Sequence, residues 1–424
     1  MQLKRVVVTG LGALTPIGNN LQEYWDGLLA GKSGAAPIQQ FDASLFKTQF
    51  ACELKGFNVE DHIDKLDDFI PHADKKPLYV KGVMALDKIR KGEPTGHMVG
   101  LDACASGPQI MGVLLGCPDT CENTGLVDPS VRTDLYTEIY KEMVRLQPEL
   151  ANGNQITRKE IKEATVPMCY GSVAKPKEIF GEFTEEYSNF YRAISNVAPA
   201  VITVLDILKQ SWVPFSSKHE WTMPDGFNVS IKVMQHVDTR IEVDELDHAR
   251  FTHRMKENLG THKGISLAAN VIHSIDGYIA RELVRRCSFD RMELEECHTK
   301  LLIHLDGFSM PEVTNEMVSL ALLDDVKAGK EKLYSNEVLY KLLVIVEKTL
   351  LNTAFEMISV HDEFKTMPNN MNRVREVYLE LMQEMGDSDL LQDIINEITQ
   401  SNHSISKTHP DISSVIADSN YFLS

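Results

Sequence analysis

Three stretches carry side chains that could do chemistry together. In Val99-Gly-Leu-Asp-Ala-Cys-Ala-Ser-Gly-Pro-Gln109, a short apolar strand delivers the Asp102 carboxylate, and small residues then turn the chain into an apolar run. A carboxylate there can ligate a metal, or it can simply cap the following helix. In Thr157-Arg-Lys-Glu-Ile-Lys-Glu-Ala-Thr-Val-Pro-Met-Cys-Tyr-Gly171, Arg158, Lys162, Val166 and Tyr170 are spaced by four. On a helix they share one slowly drifting face. Two cations at one end and a ring at the other could receive a triphosphate and a base pair; equally, the cations could face water above a buried tyrosine. Pro167 should interrupt that helix near its C-terminal end. In Leu301-Leu-Ile-His-Leu-Asp-Gly-Phe308 an apolar strand is expected to turn at Asp306-Gly307, a strong hairpin signal.

Taken in order, these stretches resemble motifs A, B and C of the single-subunit RNA polymerases of phages and mitochondria. Two further segments strengthen the resemblance: Trp221-Thr-Met-Pro-Asp-Gly-Phe227, and Asn270-Val-Ile-His-Ser-Ile-Asp-Gly277. The resemblance spans about residues 80–424. It implies DNA-templated RNA synthesis from ribonucleoside triphosphates. Asp102 and Asp306 would hold two Mg2+ ions, one activating the RNA 3′-hydroxyl and one steadying pyrophosphate. Arg158 would hold the phosphates and Lys162 would give the leaving group its proton. Tyr170, Gly171 and His273 would contact the nucleotide, and Gly107 would leave room for a ribose 2′-hydroxyl. The sequence departs from the family in two places. Leu305 separates His304 from Asp306, and no D/T-x-x-G-R segment precedes Asp102. The second departure implies the large subunit of a split phage polymerase, with a companion supplying that segment.

The first 63 residues resemble another family. KRVVVTGLGALTPIGNN, YWDGLLAGKSGAAPI and FDASLFKTQFACEL are similar to the start of β-ketoacyl-[acyl-carrier-protein] synthase II. Residues 103–107 also resemble that family's nucleophile elbow, which would make Cys104 an acyl-accepting thiolate at a helix N-terminus. The family's two histidine segments, H-G-T-G-T and N-x-F-G-F-G-G, do not occur here. The synthase is therefore the alternative reading. A third makes the N-terminal piece a folding aid or docking segment.

The elements that must position these groups are expected as α+β: a polymerase palm, being a small antiparallel sheet with helices, plus helical fingers and a short α/β N-terminal segment. The palm would combine residues 64–116 and 273–424, and the fingers residues 117–272. Residues 6–8 read as a buried strand, with a turn at Gly10 and Gly12, and residues 19–29 as an amphipathic helix. Around residues 60–80 a charged, proline-punctuated stretch marks a junction. Helices are expected over 132–146, 159–170, 190–208, 279–287, 312–330, 335–359 and 373–400. Strands are expected over 98–103, 227–237 and 301–308, and the polar tail after residue 400 reads as flexible.

Composition sets bounds. The 424 residues are 43% hydrophobic and 25% charged, ordinary for a globular protein with a large core. The net charge of −18 weighs against a surface built for phosphates. Seven scattered cysteines, of which only Cys117 and Cys121 are close, complete no zinc site and read as reduced thiols. With no transmembrane-length apolar run, the expected location is the cytoplasm, here of an infected bacterial host.

Overall fold

The computed structural model describes residues 15–38, 49–56, 75–128, 130–151, 156–308 and 314–423. The strand expected at residues 6–8, and the turn at Gly10 and Gly12, lie outside these. The chain divides into two compact units, residues 1–97 and 98–424.

In the first unit, helix α1 spans Leu21–Leu29. Asn20 starts it, its side chain accepting from the Glu23 amide at 2.9 Å, while the Glu23 carboxylate takes the Asn19 amide at 2.8 Å. Two free donors of the first turn are thereby satisfied. A two-residue ladder joins β1 (Ala36–Pro37) to β2 (Phe50–Ala51), and α2 covers Lys76–Arg90.

The second unit is built around one short helix. Strand β3 (Val99–Asp102) leads into α3 (Ser106–Leu114), of which all nine residues are buried. A helix apolar on every side belongs at a centre. Packed on it are α4 (Pro118–Asn123), α9 (Pro199–Gln210), α10 (Ser266–Cys287) and α14 (Met371–Asp387). Beyond lie α5 (Leu135–Leu146), α6 (Arg158–Cys169), α7 (Ala174–Phe180) and α8 (Glu185–Val197). β3 pairs antiparallel with β9 (Glu363–Thr366), and β9 with β8 (Ile358–Val360). Two separate hairpins follow α9: β4 (Lys218–Thr222) with β5 (Asn228–Lys232), and β6 (Gln235–Val243) with β7 (Ala249–Glu257).

A second apolar cluster forms where α11 (Arg291–His304), α12 (Leu323–Lys327) and α13 (Asn336–Leu350) meet. Glu282 of α10 fastens it to the core. Its buried carboxylate accepts from the Ser319 hydroxyl at 2.6 Å, the Leu320 amide at 2.8 Å and Arg286 at 3.2 Å. α15 (Leu390–Thr399) and α16 (Ile412–Val415) end the chain's regular structure.

Several expectations are corrected here. Residues 301–304 are the last turn of α11, and Gly307 ends the segment with a φ of 74°. The apolar run 301–303 is neutral between strand and helix. It is decided by Leu294, Cys297, Leu301 and Leu305, which recur at helical spacing and are buried. The helix expected over 190–208 breaks at Ala198, since Pro199 pushes its predecessor out of helical backbone (φ −137°, ψ 65°). Pro167 does not break α6; it sits in the last turn, where its carbonyl accepts from the Ser172 amide at 3.0 Å. The tail is anchored, with Ile412, Ile416, Phe422 and Leu423 all buried. These four side chains are set among polar ones and show no helical or strand period.

Candidate active site

β3 carries Asp102 and stops, because the chain must enter α3. The turn places Ala105 in left-handed backbone (φ 68°, ψ 68°), a strain of about 1 kcal/mol for a residue with a Cβ. Cys104 lies between strand end and helix N-terminus, and its amide donates to the Phe422 carbonyl at 3.0 Å. The half-buried Cys104 thus sits just before the N-terminus of α3. The turn opens on a cleft of about 390 Å3, whose wall includes Asp102, Cys104, Arg132, Tyr136, Arg158 and Lys162.

The cations come from α6, which Thr157 caps reciprocally with Glu160. Arg158 is ion-paired with Asp134, and both Arg158 and Lys162 lie over the Tyr136 ring, 5.6 and 5.5 Å from its centre. The Asp134 carboxyl is held below its usual range, Arg158 and Thr137 outweighing its burial. At the far end of α6, Tyr170 packs on His273 of α10, with ring centres 4.6 Å apart. A Cβ built on Gly107 would stand 3.4 Å from the Tyr170 hydroxyl. Gly171 follows with a φ of 86°, a value that suits glycine.

Carboxylates gather on the other side. Asp102 is raised above its ordinary range, by burial first and then by Asp362 and Glu363. Asp276 on α10 is pushed up to about 7, by burial and then by Asp362, although the Ser106 hydroxyl donates to it at 3.3 Å. Asp362 is at the tip of the β8–β9 hairpin, and its carbonyl accepts the Ala103 amide at 3.1 Å.

The structure therefore brings Asp102, Gly107, Arg158, Lys162, Tyr170, Gly171 and His273 onto neighbouring elements. It does not bring Asp306, which is exposed after α11 and is not among the charges acting on Asp102. Sequence reasoning missed Asp362, Glu363 and Asp276. A signal was present: His361-Asp362 is an adjacent His-Asp doublet in a hairpin, the adjacency that Leu305 denies to His304 and Asp306. The two further segments pack on each other. The Trp221 indole donates to the Ser274 hydroxyl at 3.1 Å, and Arg281 grips Asp225 at 2.6 and 3.0 Å. Among the described residues the grouping that could hold a metal ion, Glu242, Asp244 and His248, is exposed on the β6–β7 hairpin and includes neither Asp102 nor Asp306. None of the seven cysteines forms a disulfide.

Comparison with known proteins points to the second family. The family described as Beta-ketoacyl synthase, N-terminal domain, matches residues 3–78. The 3-oxoacyl-[acyl-carrier-protein] synthase 2 of Synechocystis sp. is 52% identical over 65 residues, 15% of this chain and 16% of that protein. The synthase 2 of Coxiella burnetii is 53% identical over 78 residues, 17% of this chain and 19% of its own. The chloroplastic synthase I of Hordeum vulgare is 38% identical over 109 residues, 24% and 22% of the two chains. The chain thus spans under a quarter of the length of these relatives, and the family match at residues 3–78 lies in the first unit.

These matches overturn the polymerase reading. With it go the DNA template, RNA product, ribonucleoside triphosphates and companion polymerase subunit as partners, and the two Mg2+ ions as cofactors, since the matched family uses neither a template nor a metal pair. The roles assigned to Asp102, Asp306, Lys162, Arg158, Tyr170, Gly171, Gly107 and His273 on that basis lose their footing, whatever their positions. The bacterial and chloroplast relatives also give the infected-host expectation no support. Among the described residues no single helix is long and apolar enough to cross a membrane.

Proposed function

We propose that the chain is a condensing enzyme of the β-ketoacyl-[acyl-carrier-protein] synthase kind, which takes an acyl group from a carrier protein onto the Cys104 thiol. The observation that carries this reading is the match of residues 3–78 to the synthase N-terminal domain, at up to 53% identity to a 3-oxoacyl-[acyl-carrier-protein] synthase. The cleft supports it independently. Cys104 stands at a strand-to-helix turn, as a nucleophile elbow requires, and Arg132, Arg158 and Lys162 share its cleft. A thiolate is the attacking species in such a transfer. The thiolate would attack the carrier thioester, forming the Cys104 acyl thioester and releasing the carrier's thiol. The same cations suit the phosphodiester of a pantetheine arm.

Because the family's two histidine segments are missing, imidazole help in carbon–carbon bond formation falls to residues outside those motifs. His273 packs against Tyr170 at the end of α6, and His361 precedes Asp362 in the hairpin whose second strand pairs with β3. The test is condensation of an acyl-loaded carrier with a malonyl-loaded one, followed by mass spectrometry of the 3-oxoacyl product. The reading expects product from the wild type, none from Cys104→Ala, and acyl transfer without product from His361→Ala. Equal product from wild type and Cys104→Ala would remove Cys104 from the mechanism.

A further inference from the structure

A second cavity, of about 570 Å3, opens in the second unit and shares no lining residue with the Cys104 cleft. That volume is in the range of small-molecule sites. Helix α3 runs between the two: Ala105, before its first turn, lines the cleft, and Leu115, at its end, lines the cavity. One wall is α9, where Thr203, Ile207 and Gln210 stand at i, i+4 and i+7 on one helix face. The floor is apolar, with Leu115, Ala200 and Ile395 all buried. The opposite wall is irregular chain from His403 to Thr408. Hydrogen bonds peg that wall along its length. The His403 amide donates to the Asn396 side-chain oxygen at 2.6 Å, and the Ile405 amide to that of Gln392 at 3.0 Å. The Thr408 amide donates to the Leu115 carbonyl at 2.8 Å. Walls held in this way keep a cavity formed before a ligand enters, as most small-molecule sites are.

The lining selects the ligand's chemistry. Among the described residues no Lys or Arg is part of it; Asp119 and the His403 imidazole, both exposed, are its ionisable rim groups. Lys407 stands between two lining residues yet turns away, its ammonium donating to the Ser388 carbonyl at 2.7 Å. The other polar groups are hydroxyls and an amide, from Thr203, Gln210, Ser404 and Ser406. An anion entering here finds no fixed cation to offset its lost hydration, and Asp119 repels it. An apolar body covers Ile207 and the floor, while an uncharged polar end meets the hydroxyls. We infer that this cavity binds an uncharged, mainly apolar molecule with one hydrogen-bonding end, of the class of long-chain alcohols and esters. The inference is independent of whether Cys104 accepts an acyl group.

The probe is the uncharged dye phenylnaphthylamine, whose fluorescence rises in apolar surroundings. It is titrated into the full chain at a pH above the histidine range, where His403 is neutral. The expected result is saturable binding of one dye per chain, displaced by decanol about tenfold or more better than by decanoate. Thr203→Trp and Ser404→Trp each put an indole into the cavity, from opposite walls. Both positions are exposed, so neither change burdens the core. Each should weaken the dye about tenfold or more, with the melting temperature of the wild type. Should one variant melt early, the other decides. Absence of saturable binding, or binding equally strong in a folded variant, would overturn the inference. So would decanoate that displaces the dye as well as decanol does.

Discussion

Asp276 shows how one residue registers the character of the cleft. Its carboxyl keeps a proton in the folded chain up to a pH of about 7, whereas an unfolded aspartate loses it near pH 4. Between those values the folded state binds more protons, so stability falls as pH rises. The Asp276→Asn variant mimics the protonated form. It should flatten the dependence of melting temperature on pH between about 4 and 7, and be more stable than wild type at pH 8. A parallel fall in both proteins would show that Asp276 is not the group responsible. The motif Asn270-Val-Ile-His-Ser-Ile-Asp-Gly277 contains this residue, yet its burial against Asp362 comes from a hairpin 86 positions later in the chain (362 minus 276). No local pattern encodes that.

At the scale of elements, period and composition made some of the fold legible and left the rest dark. The helix from Arg158 could be read because Arg158, Lys162, Val166 and Tyr170 recur every four residues, and the structure adds a Thr157–Glu160 capping box at its start. Strand β3 could be read from its apolar run before small residues. The segment 301–308 was misread because Asp-Gly ends a helix as readily as it turns a hairpin, glycine supplying the left-handed backbone in both. The tail was misread because its anchoring is non-local. The buried Gln109 amide donates to the Thr124 carbonyl at 2.9 Å and the Phe422 carbonyl at 3.1 Å, and accepts from the Tyr378 hydroxyl at 2.9 Å. Gln109→Leu takes these partners from the Thr124 carbonyl and the Tyr378 hydroxyl, while the Phe422 carbonyl keeps only the Cys104 amide. It should lose about 3 kcal/mol in urea unfolding, and limited proteolysis should cut within residues 401–423 first. Unchanged protection of the tail would mean that Ile412, Ile416 and Phe422 hold it without the amide.

At the scale of the whole molecule, the second unit has two apolar clusters joined through Glu282. Removing a buried, multiply hydrogen-bonded carboxylate costs about 3–5 kcal/mol. Glu282→Ala should therefore speed amide exchange across residues 291–350 more than across α3 and α14, as the α11–α13 cluster loosens from the core. Uniform acceleration would show that both clusters open as one cooperative body. The same scale exposes the limit of reading by family: residues 3–78 carry the match, while Cys104, the cations and the carboxylates lie in the unit after residue 97. The central claim spans both units, and it reduces to one covalent bond. Intact-mass spectrometry of the chain, incubated with acyl-loaded carrier protein, tests it most directly. The account predicts a mass gain of one acyl group, mapped by peptide analysis to Cys104, abolished by prior alkylation of that thiol and absent in Cys104→Ala. No adduct on a protein whose Cys104 alkylates readily would contradict it.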